Sequence, residues 1–454
     1  METVNAVIGA IGSFAWGPIM ITALFGTGLV LSIGTRIVQY RRLGYAFKLL
    51  FKKSEGDGDI SPFAALMTSL SATIGTGNIA GVATAIVAGG PGAVFWMWIT
   101  AVLGGATKFA EAVLAIKYRV TDEAGEKSGG PMYYASRGME DRFGGNWKWL
   151  GGAFAIFAFI ASVGIGNMVQ SNQVAQSVEQ TLGIPVWISG VILAILVALV
   201  IIGGIKSIAS VAERIVPVMA VIYVIGSLVI IAVNYDAIGQ AFGWIFGNAF
   251  SGKAVGGGLL GTVIRYGVAR GVFSNEAGLG SAPIAHAASR TNDPVRQGII
   301  ASLGSFLDTI VVCTMTALVI LTSRVLTMPG GVMEIASGLD GSQLTTAAYG
   351  AQLPGFGNFI VTFGLIFFAF STMLTWYFYG FKSLEYIAGR RVAEYYKWVW
   401  VILVFVGSVS TLEFVFSFSD AFNGLMILPN LIALVALSGV VFKALKEYEQ
   451  KPAE

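Results

Sequence analysis

Two stretches of this 454-residue chain carry glycine and polar residues at a spacing that an uninterrupted helix does not favour. Ser71-Ala-Thr-Ile-Gly-Thr-Gly-Asn78 and Ser274-Asn-Glu-Ala-Gly-Leu-Gly-Ser281 share the pattern Ser-x-x-x-Gly-x-Gly-(Asn/Ser), at an offset of 203 residues. Each interior glycine costs about 1 kcal/mol of helix propensity, and Ser, Thr and Asn side chains compete for backbone hydrogen bonds. Both stretches are expected to unwind. Freed N–H groups at a helix start can hold an anion, and freed C=O groups can hold a cation. The alternative is close helix packing through small residues. Ionisable residues in the same apolar surroundings are further candidates. Lys108 and Glu111, three residues apart on one helical face, are expected to form an ion pair. Arg265 and Arg270 are candidates to pair with Glu276 or Asp308 in a gate, or to snorkel to an interface. Glu276 stands beside a cation site and is a weaker candidate proton carrier, whereas His286 is expected to be a satisfied structural histidine.

The elements that must position these residues follow from composition. The chain is 55% hydrophobic and only 12% charged, with a mean hydropathy of +0.75. Soluble domains carry roughly 25% charge, so an all-α polytopic membrane protein is expected. One cysteine, Cys313, excludes an internal disulfide framework, and one histidine, His286, argues against a His-rich metal site or a Ser–His–acid triad. A net charge of +3 gives no ground for nucleic acid binding. The start METVNAVIGA lacks the basic flank of a cleaved signal, so the first apolar segment reads as a permanent span.

Apolar windows place eleven transmembrane helices near 15–37, 63–88, 92–116, 150–176, 185–204, 212–233, 259–285, 298–323, 355–381, 397–417 and 421–443. A weaker segment at 332–350, with Glu334 and Asp340, reads as a surface or re-entrant helix. Of the 28 Lys and Arg, 23 follow odd-numbered spans, and only Lys253 and Arg324 sit in opposite loops. The positive-inside rule then puts the N-terminus outside and the C-terminus in the cytoplasm. Five spans separate the two glycine motifs, an odd number, which reverses topology. The chain divides into an N-terminal extra helix with a basic loop (1–60), a first five-helix repeat (61–235), an extracellular connector (236–258), a second repeat (259–445, with an extracellular segment near 325–353) and a tail (446–454). Transporters place substrate between such inverted repeats. A channel or an intramembrane enzyme is less compatible: the charge is scattered, and no nucleophile–base or metal constellation is present.

Substrate size follows from bulk. Thr372 and Trp376 lie one turn apart on one helical face, and Phe273 projects from the second glycine motif. Aromatic walls there leave room for little beyond a methyl group, which favours glycine and alanine; ordinary core packing is the alternative.

The run from Gly89 to Gly104 (GGPGAVFWMWITAVLG), with GTGNIAGVATAI from Gly75, SGGPMYY from Ser128 and FSNEAGLGSAPIAHA from Phe273, resembles the alanine or glycine:cation symporter family, also called sodium:alanine symporters. The resemblance implies the inverted five-helix-repeat fold of amino-acid transporters with two discontinuous helices. It also implies uptake of alanine or glycine with sodium, sometimes with protons, and no cofactor beyond Na+ as coupling ion. Carried over residue by residue, it implies that N–H groups at Gly75, Thr76 and Gly77 hold the substrate carboxylate, with Gln170 as a further contact where relatives use a tyrosine. The carbonyls of Thr73 and Phe273, with Ser274, would face the ammonium group. Ser371 and Thr372, with backbone near Ser71 and Ile74, would ligate sodium, and Asn78 with Ser274 would make a weaker second ion site. Coupling to protons in place of sodium is the nearest alternative.

Overall fold

The computed structural model describes residues 2–52, 55–250, 260–323, 325–328, 333–335 and 338–450. Lys53, Lys253, Arg324 and Lys451 of the charge pattern lie outside the described residues, as do parts of the connector, of the 325–353 segment and of the tail. Among those described, eight helices are long and apolar enough to cross a bilayer, and Pro62–Thr73 with Gly77–Gly89, bent by 49°, makes a ninth. Val186–Ile201 is a shorter apolar helix, and Leu260–Asn275 with Ala282–Ala287 flanks a second interruption. All eleven expected spans therefore fall on helices, the first by itself, five between Pro62 and Val233 and five between Leu260 and Ala436.

Local chemistry explains where helices begin. Ser61 accepts a hydrogen bond from the Ala64 N–H with Pro62 at the first helical position, and Asp293 accepts from Val295 and Arg296 ahead of Pro294. Each is an oxygen cap followed by a residue with no N–H to orphan. Some boundaries differ from expectation. The first span starts earlier, at Ile8, and the last two are Arg390–Val409 and Glu413–Ala436 rather than 397–417 and 421–443. Lys397 does not flank a span. It lies inside the helix, paired with Glu394 at 3.1 Å, while Ser410 leaves helical geometry. The connector contains a helix, Tyr235–Asn248, that hydropathy did not show. Within the 332–350 segment, Gly341–Gln352 forms a helix whose Thr345 donates to the Ile79 carbonyl at 2.9 Å, so it packs on the first broken span.

Burial separates core from periphery. The membrane-length part of Ala93–Lys117 is 83% buried, against 33% for Gly204–Val233 and for Arg390–Val409. Ala93–Lys117 is accordingly the centre, clasped by Pro294–Ser305 and Leu260–Asn275, and the other two present apolar faces outward.

The loops that follow the first, third, seventh and ninth spans converge on one face. Arg119 donates to the carbonyls of Asp57, Ala287, Ser289 and Thr291 at 2.7–2.9 Å. Ile60 and Ser289 pair as a parallel bridge. One guanidinium thus ties the strand leading into the first broken span to the end of the second. Beside it the hairpin Val120–Thr121/Lys127–Ser128 is held to helix Gly357–Ala388 by Lys382, which reaches Asp122 at 2.7 Å and Glu385 at 2.9 Å. Burial acts to raise the Asp122 carboxyl. Donation from Lys382 and from the Glu126 and Ala124 N–H groups outweighs it and holds the carboxyl below the usual range.

Candidate functional site

The first break opens where Ile74 turns to ψ 90° and stops the helical ladder; a wide π-type turn over Gly77–Gly81 restarts it. The second runs from Asn275 to Ala282. Gly278 (φ +87°) and Gly280 (φ +81°) occupy left-handed backbone that suits glycine. Glu276 does so too (φ +57°), at a cost of roughly 1–2 kcal/mol for an L-residue with a side chain. The breaks face each other: a Cβ on Gly77 would lie 2.9 Å from Ser274 Cα and 3.2 Å from the Phe273 ring.

Of the expected sodium residues, Ser71, Ser371 and Thr372 meet on one side of the first break, whereas no hydrogen bond among the described residues joins the Ile74 carbonyl to them. Thr372 Oγ1 lies 2.8 Å from the Ser71 carbonyl and 2.9 Å from that of Phe368, and Ser371 Oγ donates to Phe368 at 2.9 Å. Ser71 Oγ shares a hydrogen bond with Thr375. All are buried. The cluster consists of neutral hydroxyl and carbonyl oxygens, the kind a hard cation takes. The Phe368 carbonyl, one turn before Thr372, belongs to it and was not anticipated.

On the other side, Asn78 and Ser274 do not bond to one another; Asp308 joins them. Its carboxylate accepts from Asn78 Nδ2 at 2.7 Å, Ser274 Oγ at 2.8 Å and Thr309 Oγ1 at 2.7 Å, with Cys313 Sγ 3.2 Å from Ser274 Oγ. A π-type turn over Phe306–Cys313 carries Asp308 in the middle of an apolar helix, as such turns often do at functional sites. Its sequence signal was a lone acid in an apolar span. The gate pairing of Arg270 with Glu276 or Asp308 is not what the structure forms. Arg270 pairs with Asp420 and lies 5.3 Å over Phe273 and 5.5 Å over Phe416, while Arg265 is exposed.

Between these clusters lies the expected carboxylate cradle. The Gly75 N–H donates to Asn78 Oδ1 at 2.9 Å and the Thr76 N–H to Gln170 Oε1 at 3.3 Å. Gln170 is braced by the Ile165 carbonyl across a third π-type turn, Gly164–Met168. A Cβ on Gly75 would meet Thr372 Oγ1 at 2.7 Å and Gln170 Oε1 at 3.3 Å, so Gly75, Gln170 and Thr372 converge. Among the described residues the Thr76 hydroxyl has no hydrogen-bond partner, and that of Thr73 bonds back to its own helix. Trp376 and Phe273 take different neighbours. Trp376 is clamped against Gly166, where a Cβ would come within 2.1 Å of its own Cβ, and its Nε1 donates to Glu276 Oε1 at 2.8 Å. Ser281 donates to the other Glu276 oxygen at 2.6 Å.

The Lys108–Glu111 ion pair is absent among the described residues. Glu111 Oε1 accepts from Asn430 at 2.8 Å, whereas Lys108 Nζ has no hydrogen-bond partner and packs into the space left by Gly304. His286 is satisfied at one ring nitrogen only: Nδ1 meets Gln297 Nε2 at 2.8 Å, whereas the buried Nε2 has no hydrogen-bond partner among the described residues.

The profile of the sodium:alanine symporter family matches residues 1–454. This chain belongs to that family. It is 50% identical over 98% of its length, and 97% of the relative's, to the sodium/alanine symporter AgcS of Methanococcus maripaludis. It is 36% identical, over 99% of this chain and 92% of the relative, to the probable sodium/glutamine symporter GlnT of Bacillus subtilis. The fold resembles that of MhsT, solved in complex with L-phenylalanine, with a TM-score of 0.56 at 13% identity, covering 87% of this chain and all of that one. As a sodium:alanine symporter family member the protein is a membrane carrier of amino acids with cations and not an enzyme.

Proposed function

We propose that the protein takes up small neutral amino acids, alanine and glycine, with sodium, by alternating access. The N-terminus faces outside and the basic face formed around Arg119 and Lys382 faces the cytoplasm, as the positive-inside rule requires. Between two five-helix repeats (61–235 and 259–445), the substrate carboxylate takes the N–H groups around Gly75, Thr76 and Gly77, displacing Asn78 Oδ1 from the first and Gln170 Oε1 from the second. The carbonyls of Thr73 and Phe273, with Ser274, take the ammonium.

The observation that carries sodium over proton coupling is the cluster around Thr372. It offers the Ser71 and Phe368 carbonyls and the Ser371 and Thr372 hydroxyls and contains no group that titrates in the physiological range, so it can bind a metal cation but cannot store a proton. Asn78, Ser274 and Asp308 supply a second cation position, with a carboxylate as its charged ligand.

One ion suffices energetically. A membrane potential of about 100 mV contributes roughly 2.3 kcal/mol per charge. Together with a tenfold sodium gradient of about 1.4 kcal/mol, this supports roughly 500-fold accumulation. Radiolabelled alanine uptake into proteoliposomes tests the reading. A sodium gradient at equal pH is expected to drive accumulation; accumulation driven by a pH gradient in sodium-free buffer, with none from sodium, refutes it.

A further inference from the structure

Lys108 is a buried ionisable group that the carrier mechanism above leaves unused. Its side chain sits near the middle of helix Ala93–Lys117 at 1% exposure, and its ammonium has no hydrogen-bond partner among the described residues. A buried cation with three donors and no acceptor is rare, because the hydration it gives up is not replaced. The acids on the elements packed against it are Glu111 on its own helix, Asp308 on helix Pro294–Thr322 and Glu276 in the second break. None of the three is bonded to it: Glu276 accepts from Trp376 and Ser281, Glu111 from Asn430, and Asp308 from Asn78, Ser274 and Thr309.

The ammonium fits where it does because residue 304 has no side chain. Opposite it is Gly304, where a Cβ would stand 3.0 Å from Nζ and 3.4 Å from Cδ. Asp308 follows Gly304 by four residues, roughly one turn along the same helix. The next residue, Ser305, also has a buried hydroxyl without a partner. The lysine stem is four flexible carbons ending in a compact charge. Two of the three donors to Asp308, Asn78 and Ser274, belong to the two broken helices, so any motion that separates those helices strips the carboxylate of its partners.

We propose that Lys108 is a tethered cation: when sodium leaves and the broken helices part, its ammonium moves to Asp308, neutralises the vacated position and lets the empty carrier return. With sodium bound, repulsion between like charges keeps the ammonium back beside Gly304. Lys108 touches neither substrate nor ion in the loaded state, so its role is confined to the half of the cycle that net transport needs and exchange does not. This inference rests on the sodium-coupled reading above.

That division supplies the test. In proteoliposomes, Lys108→Gln is expected to lower sodium-driven net alanine uptake by about ten-fold or more, while alanine exchange with saturating sodium on both sides stays within about three-fold of the unaltered protein. Lys108→Arg, which keeps the charge, is expected to restore net uptake. Folding is read from the rise in melting temperature with sodium and alanine. Should Lys108→Gln lack that rise, Gly304→Ala, which crowds the ammonium without altering charge, is expected to slow net uptake more than exchange. Net uptake unchanged in Lys108→Gln, or net uptake and exchange falling equally in a variant that still responds to both ligands, overturns the tethered cation. Failure of the unaltered protein to respond to sodium refutes the coupling reading instead.

Discussion

Asp308→Asn isolates charge at the position where the two broken helices meet. The substitution is nearly isosteric, and the hydrogen bonds can be redrawn. Asn78 cannot rotate its amide without releasing the Gly75 N–H held at 2.9 Å, so the new amide keeps its oxygen toward Asn78 Nδ2. It turns its NH2 toward Ser274 and Thr309, whose hydroxyls can reverse and accept. The fold is therefore expected to survive. The ion is affected more. Two unit charges about 4 Å apart interact by about 4 kcal/mol at an effective dielectric constant of 20, and the amide carbonyl retains part of that attraction as a dipole. A loss of about 2–3 kcal/mol corresponds to a rise of about 30- to 150-fold in the sodium concentration giving half-maximal uptake. The assay is alanine uptake into proteoliposomes against sodium at fixed pH and fixed potential, with the alanine KM measured again at saturating sodium. A half-saturating sodium concentration unchanged in a variant of normal stability would sink the cation role of Asp308.

Four further outcomes are expected. Thr372→Ala removes the hydroxyl that bridges to Ser71 and should raise the half-saturating sodium concentration about ten-fold, whereas Ser371→Ala, which loses a bond within its own helix, should raise it about three-fold; the reverse order argues against this cluster. Trp376→Phe leaves the Glu276 carboxylate short of one donor and opens space beside Gly166, so melting temperature should fall by the equivalent of about 1.5–3 kcal/mol and larger amino acids should begin to compete with alanine; unaltered selectivity would make Trp376 plain packing. Asp122→Asn removes a carboxylate held below its unfolded pKa. The stability it contributes is present above about pH 4 and disappears as pH falls through the folded value, so the variant's deficit at pH 7 should vanish in acid, and a deficit independent of pH would contradict the Lys382 pairing. Asp420→Asn leaves Arg270 without its carboxylate over Phe273. Labelling of the single cysteine, Cys313, by a charged thiol reagent added outside should quicken, and sodium with alanine should slow it; equal rates in variant and unaltered protein would show that this pair closes nothing.

How much was legible in the sequence depended on whether the signal was local. The two breaks were legible because Gly75, Gly77, Gly278 and Gly280 act through their own backbone, and Gly278 and Gly280 do adopt left-handed angles. The eleven spans were legible because a bilayer demands length and apolarity from each segment separately. Partner choice was not, because it is decided across helices. Lys108 and Glu111 satisfy the i,i+3 rule, yet Asn430 captures Glu111 and Gly304 makes room for Lys108 elsewhere. Arg270 was matched to the nearest acids in the same region, but Asp420, 150 residues on, was brought to it by the packing of helix Leu412–Ala436. Asp308 was visible as an anomalous acid; that a π-type turn would present it between Asn78 and Ser274 was not, since nothing in the residues Phe306–Cys313 distinguishes such a turn from ordinary helix.

On the proposed reading, the arrangement accounts for how an ion gradient acts on the substrate site, with Ser274 common to both. A ligand shifts a conformational equilibrium only by its difference in affinity for the two states. Sodium bound by one rigid element would have no such difference. Around Asp308 the polar groups come from the first broken helix (Asn78), the second (Ser274) and helix Pro294–Thr322, and around Thr372 the oxygens come from helix Gly357–Ala388 and the first break. Either position is complete only while its helices are apposed, and the same apposition fixes Gly75 and Thr76 against Gln170, where the carboxylate is to bind. Sodium and amino acid then favour one arrangement together. The proposed sodium positions then predict a coupling of about 1–3 kcal/mol between ion and amino acid, lost when Asn78 and Ser274 move apart around Asp308.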